Sequence, residues 1–330
     1  MTENAPRNAL IVRDLAVEFD TDRGPIRAVD NISFDLRAGE ILGMVGESGC
    51  GKSVTALSLL RLLPSPPGRI AGGSVQFDGR DLLKAPVSEM RTIRGKRISM
   101  IFQDPMSALS PLHRVGDQLI EALQLHSSIS GSAAAALALE WLEKVRIPDA
   151  ARRMRAWPHE LSGGMRQRIM IAMALMMKPD VVVADEPTTA LDVTTQAQIF
   201  ALMRELKDAR TALLLITHDM GAIWEMCDRA LVMYAGQIVE QAPVAELFRQ
   251  PRHPYTAGLL RAMPRGPRAG GRLSTIPGQV PSPRDYPGGC RFAARCPFVW
   301  SKCLEQMPPL YAVDEDHQAA CHLVPEGRIP

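Results

Sequence analysis

Gly46-Glu47-Ser48-Gly49-Cys50-Gly51-Lys52-Ser53 lies between two segments of different hydrophobic period. Before it, residues 41–45 form a short apolar run with strand character; after it, Val54, Leu57, Leu60 and Leu63 share one face of a helix expected over 54–63. The spacing is G-x-x-x-x-G-K-[ST]. Glycine strips side chains from such a turn, so successive backbone N–H groups can close on phosphate oxygens while the new helix points its positive end at them. Gly46, Ser48, Gly49, Cys50, Gly51 and Val54 are therefore candidates for a phosphate cradle. Lys52 would reach the β- and γ-phosphates, and Ser53 would ligate Mg²⁺. A ligand-free glycine turn is the bland alternative, against which the full spacing between a strand and a helix argues.

The 330 residues allow one large α/β domain with an appendage, or two medium domains. A formal net charge of +2 favours neither nucleic acid nor an anionic membrane surface. No apolar segment approaches the roughly 18 to 20 residues that span a bilayer, and the polar start Met1 to Asn8 has no signal-peptide core, so the expectation is a cytosolic chain. Cys50 and Cys227 stand alone, whereas Cys290, Cys296, Cys303 and Cys321 crowd together. In a reducing compartment such a crowd points to metal more than to disulfide.

Residues 10–19 and 33–36 alternate as strands around the polar turn 20–24, an antiparallel edge ahead of the glycine loop. Phe19 stands where an aromatic could stack on adenine, or equally where a strand-end core residue belongs. Residues 72–79 and 97–102 supply further strands, and Gln103 follows directly. From 104 to 177 the period is helical, with candidates over 115–125, 133–147 and 166–177, the last behind Leu161-Ser162-Gly163-Gly164-Met165. Its Met165, Ile169, Ala172, Met173 and Met176 share a face and read as core. The valine run 180–184 suits a parallel strand covered on both faces, and it delivers Asp185 and Glu186 at its carboxyl end, where open α/β sheets place ligands. A helix over 193–209, a strand over 212–216 leading to His218, and a hairpin around Ala235-Gly236 complete the sheet. Beyond about Gln250 the chain turns to Pro, Gly and Arg, basic from Arg252 to Lys302, and reads as a loop-rich appendage in need of a staple.

Gln103, Leu161 to Met165, Val181 to Glu186, Thr189-Ala190-Leu191-Asp192 and His218 follow the order and spacing of ATP-binding cassette (ABC) ATPases, which the chain resembles over roughly Leu10 to Gln250. The resemblance implies an α/β P-loop NTPase core with an antiparallel β edge and an inserted helical subdomain. The implied ATPase domain covers 1–250, with its core at 1–103 and 178–250 and its helical subdomain at 104–177; residues 251–330 form a C-terminal extension. It further implies a dimer holding two ATP molecules, each between one subunit's phosphate loop and the other's Ser162, Gly163 and Gly164, with Asp192 at the joint. In that frame Asp185 would hold Mg²⁺ through water, Glu186 would polarise the attacking water, His218 would bond the γ-phosphate, and Gln103 would sense the Mg²⁺ or the water. Taken singly, each has a structural reading: a His or Gln after a strand is most often structural, and Glu186 could cap the turn before Pro187.

Residues 161–168 and 184–192, His253-Pro254-Tyr255-Thr256 and the tail from Ile276 to Cys321 are similar to the D-type ATPase subunit of bacterial dipeptide and oligopeptide importers. Met165 replaces the Gln common elsewhere, a D-type mark, and Phe19 replaces the usual Tyr. This resemblance implies an F-type ATPase partner, two membrane permease subunits, indirectly a substrate-binding protein, no nucleic acid, and a peripheral seat on the cytoplasmic face of the inner membrane. The same tail occurs in importers of nickel or oligosaccharides, so the solute is inferred. A soluble cassette ATPase working on ribosomes or DNA is the alternative from another class; one set of motifs and no heptad run argue against it. The terminal cysteines, separated by five, six and seventeen residues, match neither C-x-x-C zinc pairs nor ferredoxin spacings, so spacing alone leaves a shared metal of unspecified kind. The resemblance implies a four-iron four-sulfur cluster, one thiolate per iron, in a basic shell of Arg291, Arg295 and Lys302, with zinc or metal-free thiols as alternatives.

Overall fold

The computed structural model describes residues 7–104, 108–189, 191–263 and 275–328. Residues 1–6 of the expected ATPase domain, 105–107 after Gln103, Ala190, and 264–274 of the basic stretch lie outside these. In chain order the elements are β1 (Asn8–Phe19), β2 (Ile26–Arg37), β3 (Ile41–Val45), α1 (Lys52–Leu59), β4 (Gly68–Phe77), β5 (Arg80–Asp81), α2 (Val87–Ile93) and β6 (Ile98–Ile101). There follow α3 (Val115–His126), α4 (Gly131–Lys144), α5 (Ala150–Arg153), α6 (Gly163–Leu175), β7 (Val181–Asp185), α7 (Val193–Leu206) and β8 (Ala212–Thr217). The chain ends with α8 (Met220–Met226), β9 (Arg229–Tyr234), β10 (Gln237–Pro243), α9 (Val244–Arg249), α10 (Pro254–Ala262), α11 (Ser301–Glu305), β11 (Tyr311–Ala312) and β12 (Gln318–Ala319). Two compact units result: Met1–Ala9, Leu36–Glu40 and Lys84–Leu214 in one, Leu10–Asp35, Ile41–Leu83 and Leu215–Pro330 in the other.

The first unit joins a helical insertion to two parallel strands. β6 and β7 pair in register from Ile98 opposite Val181 to Ile101 opposite Ala184, and every residue of β7 is buried, as the valine run predicts for a strand covered on both faces. In α3, Val115, Leu119 and Leu123 recur at intervals of four and are buried; in α4, Ala134, Ala138 and Trp141 recur at intervals of four and three and are buried, which gives two helices of the insertion their inward faces. Ser130 caps α4 by accepting the Ala133 N–H at 3.3 Å, and the Glu160 carboxylate accepts the Trp157 N–H at 2.7 Å just before α6. In α6 the expected stripe is mostly interior: Ile169, Ala172 and Met176 are buried.

The second unit carries two sheets. One has the order β2-β1-β4-β5, with Val17 opposite Ile70 and Phe19 opposite Gly68. The other runs β11-β12-β10-β9-β3, in which β3 and β9 are parallel and β9 and β10 form the expected hairpin. That hairpin turns at Ala235 and Gly236, both at positive φ (47° and 83°) as a tight two-residue turn requires. α1 stops short of the predicted Leu63 because Arg61, at φ 51°, takes the chain out of the helical region. The extension contributes a sheet strand as well as loops: β12 pairs antiparallel with β10, Glu240 opposite Ala319. α10, with Pro254 at its first position, lays Tyr255 and Leu260 into a cluster with Tyr234, Val244, Leu247 and Phe292.

Candidate active site

The glycine loop follows the buried strand β3 and opens α1 as predicted. Gly46 has no room for a side chain, since a Cβ there would stand 2.1 Å from the Met233 carbonyl oxygen on β9. Gly51, at φ 105°, stands at the N-cap of α1 and brings no side chain to bond the first turn, which leaves the helix start approachable by an anion. Lys52 is only 4% exposed and folds back over the loop, its Nζ donating to the carbonyls of Gly46 (2.8 Å) and Glu47 (3.1 Å). Cys50 is buried, and burial pushes its thiol above the usual range. The loop is braced by the hairpin turn, where the Gly236 N–H donates to Cys50 O at 3.0 Å. Ser53 and Val54 begin α1, half-buried. Phe19 is half-buried at the end of β1, and His218 is exposed after β8, where the Asp219 carboxylate caps α8 by accepting the Gly221 N–H at 2.7 Å.

The extension reaches this loop, a connection no spacing announces. Tyr255 Oη accepts the Glu47 N–H at 2.9 Å, and Arg295 grips the Glu47 carboxylate with both Nη atoms, at 2.6 and 2.9 Å. Arg291 pairs with Asp30 and donates to Ala235 O at 2.5 Å. Of the expected basic shell around the cysteines, Arg291 and Arg295 thus spend their charge on carboxylates.

In the first unit Gln103 and Glu186 come together, Gln103 Nε2 donating to Glu186 Oε2 at 3.2 Å. The same oxygen accepts Thr189 Oγ1 at 2.9 Å, a partner that sequence reading passed over as part of a motif. Glu186 sits at φ 45°, a left-handed conformation rare for a side chain of its size. Such outliers cluster at functional sites. Asp185, just before it, is buried at the end of β7. Ser162 caps α6, its Oγ accepting the Met165 N–H at 3.3 Å, while Ser162 and Gly163 are exposed. Asp192 caps α7 through Thr195, whose hydroxyl and N–H lower its carboxyl below the usual range. A carboxylate aimed by two donors, beside a buried aspartate, has the composition that positions water and a hydrated cation.

Cys290, Cys296, Cys303 and Cys321 all line one enclosed, largely apolar cavity with His253, Phe292 and His322. Burial pushes the Cys290 thiol up to about 11 and Cys321 up to about 12, and it also raises Cys296. Among the described residues no three His, Cys, Asp or Glu side chains are drawn together tightly enough to hold a metal ion. The structure thus lends no support to a zinc or iron–sulfur site, although it does bring the four thiols to one wall.

Strand, glycine loop, folded-back lysine and uncapped helix start define a P-loop nucleotide-binding protein with the mixed α/β fold of ABC ATPases. The family described as ABC transporter matches residues 29–189, and the oligopeptide/dipeptide transporter C-terminal region matches 239–303. The probable peptide ABC transporter ATP-binding protein y4tR of Sinorhizobium fredii is 53% identical, covering 97% of this chain and 97% of its own. The oligopeptide transport ATP-binding protein OppD of Salmonella typhimurium is 50% identical, covering 96% of this chain and 94% of its own. Among solved structures, the ATP-binding cassette MJ0796 in a dimeric post-hydrolysis state bound to ADP and Pi aligns with TM-score 0.64 and 25% identity, over 71% of this chain and 98% of that one. The chain belongs to the family of ABC transporter ATP-binding proteins, in the branch that carries the oligopeptide/dipeptide transporter C-terminal region.

Proposed function

We propose that this chain is the ATP-binding and ATP-hydrolysing subunit that powers import of dipeptides or oligopeptides through an ABC transporter. The observation that carries the reading is the phosphate loop, with Lys52 held over its own carbonyls at the start of α1. Lys52 and the loop N–H groups take the phosphates, Ser53 and Asp185 serve Mg²⁺, Glu186 polarises water with Gln103 and Thr189 aiming it, and His218 bonds the γ-phosphate. Phe19 offers its ring to adenine. Ser162, Gly163 and Gly164 serve the ATP of a companion subunit, with Asp192 at that joint. Supporting this, a Cβ built on Gly163 meets no described atom within 4 Å beyond its chain neighbours and its own helix backbone, so tertiary packing within this chain does not demand glycine there.

The companion is an F-type ATPase, and the pair works beneath two permease subunits, fed by an external binding protein, on the cytoplasmic face of the inner membrane. No described helix is long and apolar enough to cross a membrane. Residues 1–250 act as the ATPase domain, with its helical subdomain at 104–177, and 251–330 as the extension. The test is peptide uptake by cells whose only copy carries Lys52→Ala, together with the identity of the copurifying subunits. Uptake lost and permeases recovered is the expected result; unimpaired uptake, or a ribosome or DNA complex without permeases, overturns it.

For the four thiols we carry forward a four-iron four-sulfur cluster, with zinc as the alternative; its ground is the likeness to the transporter C-terminal region and the gathering of all four thiols on one cavity wall. Thiols with raised pKa values must give up protons on binding, so loading is favoured at higher pH. Iron and sulfide assayed on anaerobically purified protein should be stoichiometric; stoichiometric zinc without iron would refute the cluster.

A further inference from the structure

We propose that Arg295 and Tyr255, both in the C-terminal extension, are positioning residues for the phosphate loop and act on it through Glu47. Glu47 is tied at every polar group. Its N–H donates to Tyr255 Oη, its carboxylate is held bidentately by Arg295, and its carbonyl accepts both Lys52 Nζ (3.1 Å) and the Cys50 N–H (3.3 Å). The residue that carries the extension's grip therefore also seats the lysine assigned to the phosphates.

The grip is rigid on the extension's side. The Arg295 side chain is 5% exposed. Its Nε donates to Pro277 O at 2.9 Å, and its guanidinium lies 5.7 Å from the Tyr234 ring centroid and 5.9 Å from that of Phe292. Tyr255 is fully buried, its ring centroid 4.6 Å from Tyr234 and 5.5 Å from Phe292. Planar, doubly bonded guanidinium and an immobile phenol hold a geometry that a loop of glycines cannot hold by itself.

Charge adds a second reason. A carboxylate on a loop that receives a polyphosphate opposes its ligand, and Arg295 neutralises that carboxylate in place. The His253–Thr256 segment and the residue beside Cys296 are thus part of the nucleotide apparatus rather than of a detached tail.

This inference rests on the ATP reading, and the experiment separates the two. Equilibrium binding of a non-hydrolysable ATP analogue is measured on the full chain for the parent, Arg295→Met, Tyr255→Phe, Glu47→Gln and the Arg295→Met/Glu47→Gln double variant. Arg295→Met should raise Kd about ten-fold and Tyr255→Phe, which removes one oxygen and keeps the packed ring, roughly three-fold. In the Glu47→Gln background Arg295→Met should add less than about two-fold, a non-additivity that a merely structural arginine would not produce. If Arg295→Met does not fold, Tyr255→Phe carries the test. Parent binding with both single variants within two-fold of it, or equal effects of Arg295→Met in the two backgrounds, overturns the clamp alone. A parent that binds no analogue overturns the nucleotide reading and the clamp with it.

Discussion

Glu186 shows how much one side chain's setting adds to its identity. Its position after a buried valine strand was readable from sequence, but its left-handed φ of 45° and its bond to Thr189 were not, because both arise where the strand breaks into a turn. His253 shows the same in electrostatics: complete burial lowers its pKa from 6.5 to about 3, and its Nδ1 accepts the Tyr255 N–H at 3.1 Å. The unfolded chain binds this proton near pH 6.5 and the folded chain only near 3, so stability present above 6.5 is lost as pH falls through that window. From this residue alone the loss at pH 5 is about 2 kcal/mol. Urea denaturation at pH 7 and pH 5 should show a steeper loss for the parent than for His253→Asn, which accepts the same hydrogen bond without titrating; equal losses would contradict the assignment.

Among the elements, those whose hydrophobic period repeats several times were foreseen closely. Strand β7, helices α3, α4 and α6, and the β9–β10 hairpin fall within a few residues of expectation, since each buries its own periodic face. α2 and α10 were missed. α2 is only two turns long, and α10 begins with Pro254 inside a stretch rich in Pro and Gly, where composition speaks for loop. The glycine loop yields the sharpest prediction at this level. Gly46→Ala would drive a Cβ to 2.1 Å from Met233 O on β9, so backbone must shift, and both ATP affinity and melting temperature should fall. Ser162→Ala removes the cap of α6 and should cost about 1 kcal/mol of stability in a chemical-denaturation curve while ATP binding to the isolated chain stays unchanged. A loss of that binding would place Ser162 in the chain's own site instead of a companion's.

For the molecule as a whole, local pattern could not reveal how the far end of the chain returns to its start. Composition separated the extension near Gln250; packing makes β12 a neighbour of β10 and hands Glu47 to Arg295, 248 residues away in sequence. Glu240, fully buried, ties this return together by accepting the N–H groups of Arg252 (2.6 Å) and His253 (2.9 Å) and pairing with His317 at 2.8 Å. Such contacts depend on tertiary closure, which no periodicity encodes. The most direct test is the rate of phosphate release from Mg-ATP by the purified transporter complex, parent against Glu186→Gln. The parent should turn over, and Glu186→Gln should keep its ATP while releasing phosphate slower by on the order of 10² or more. Equal rates in the two, or a parent that releases none, would contradict the account.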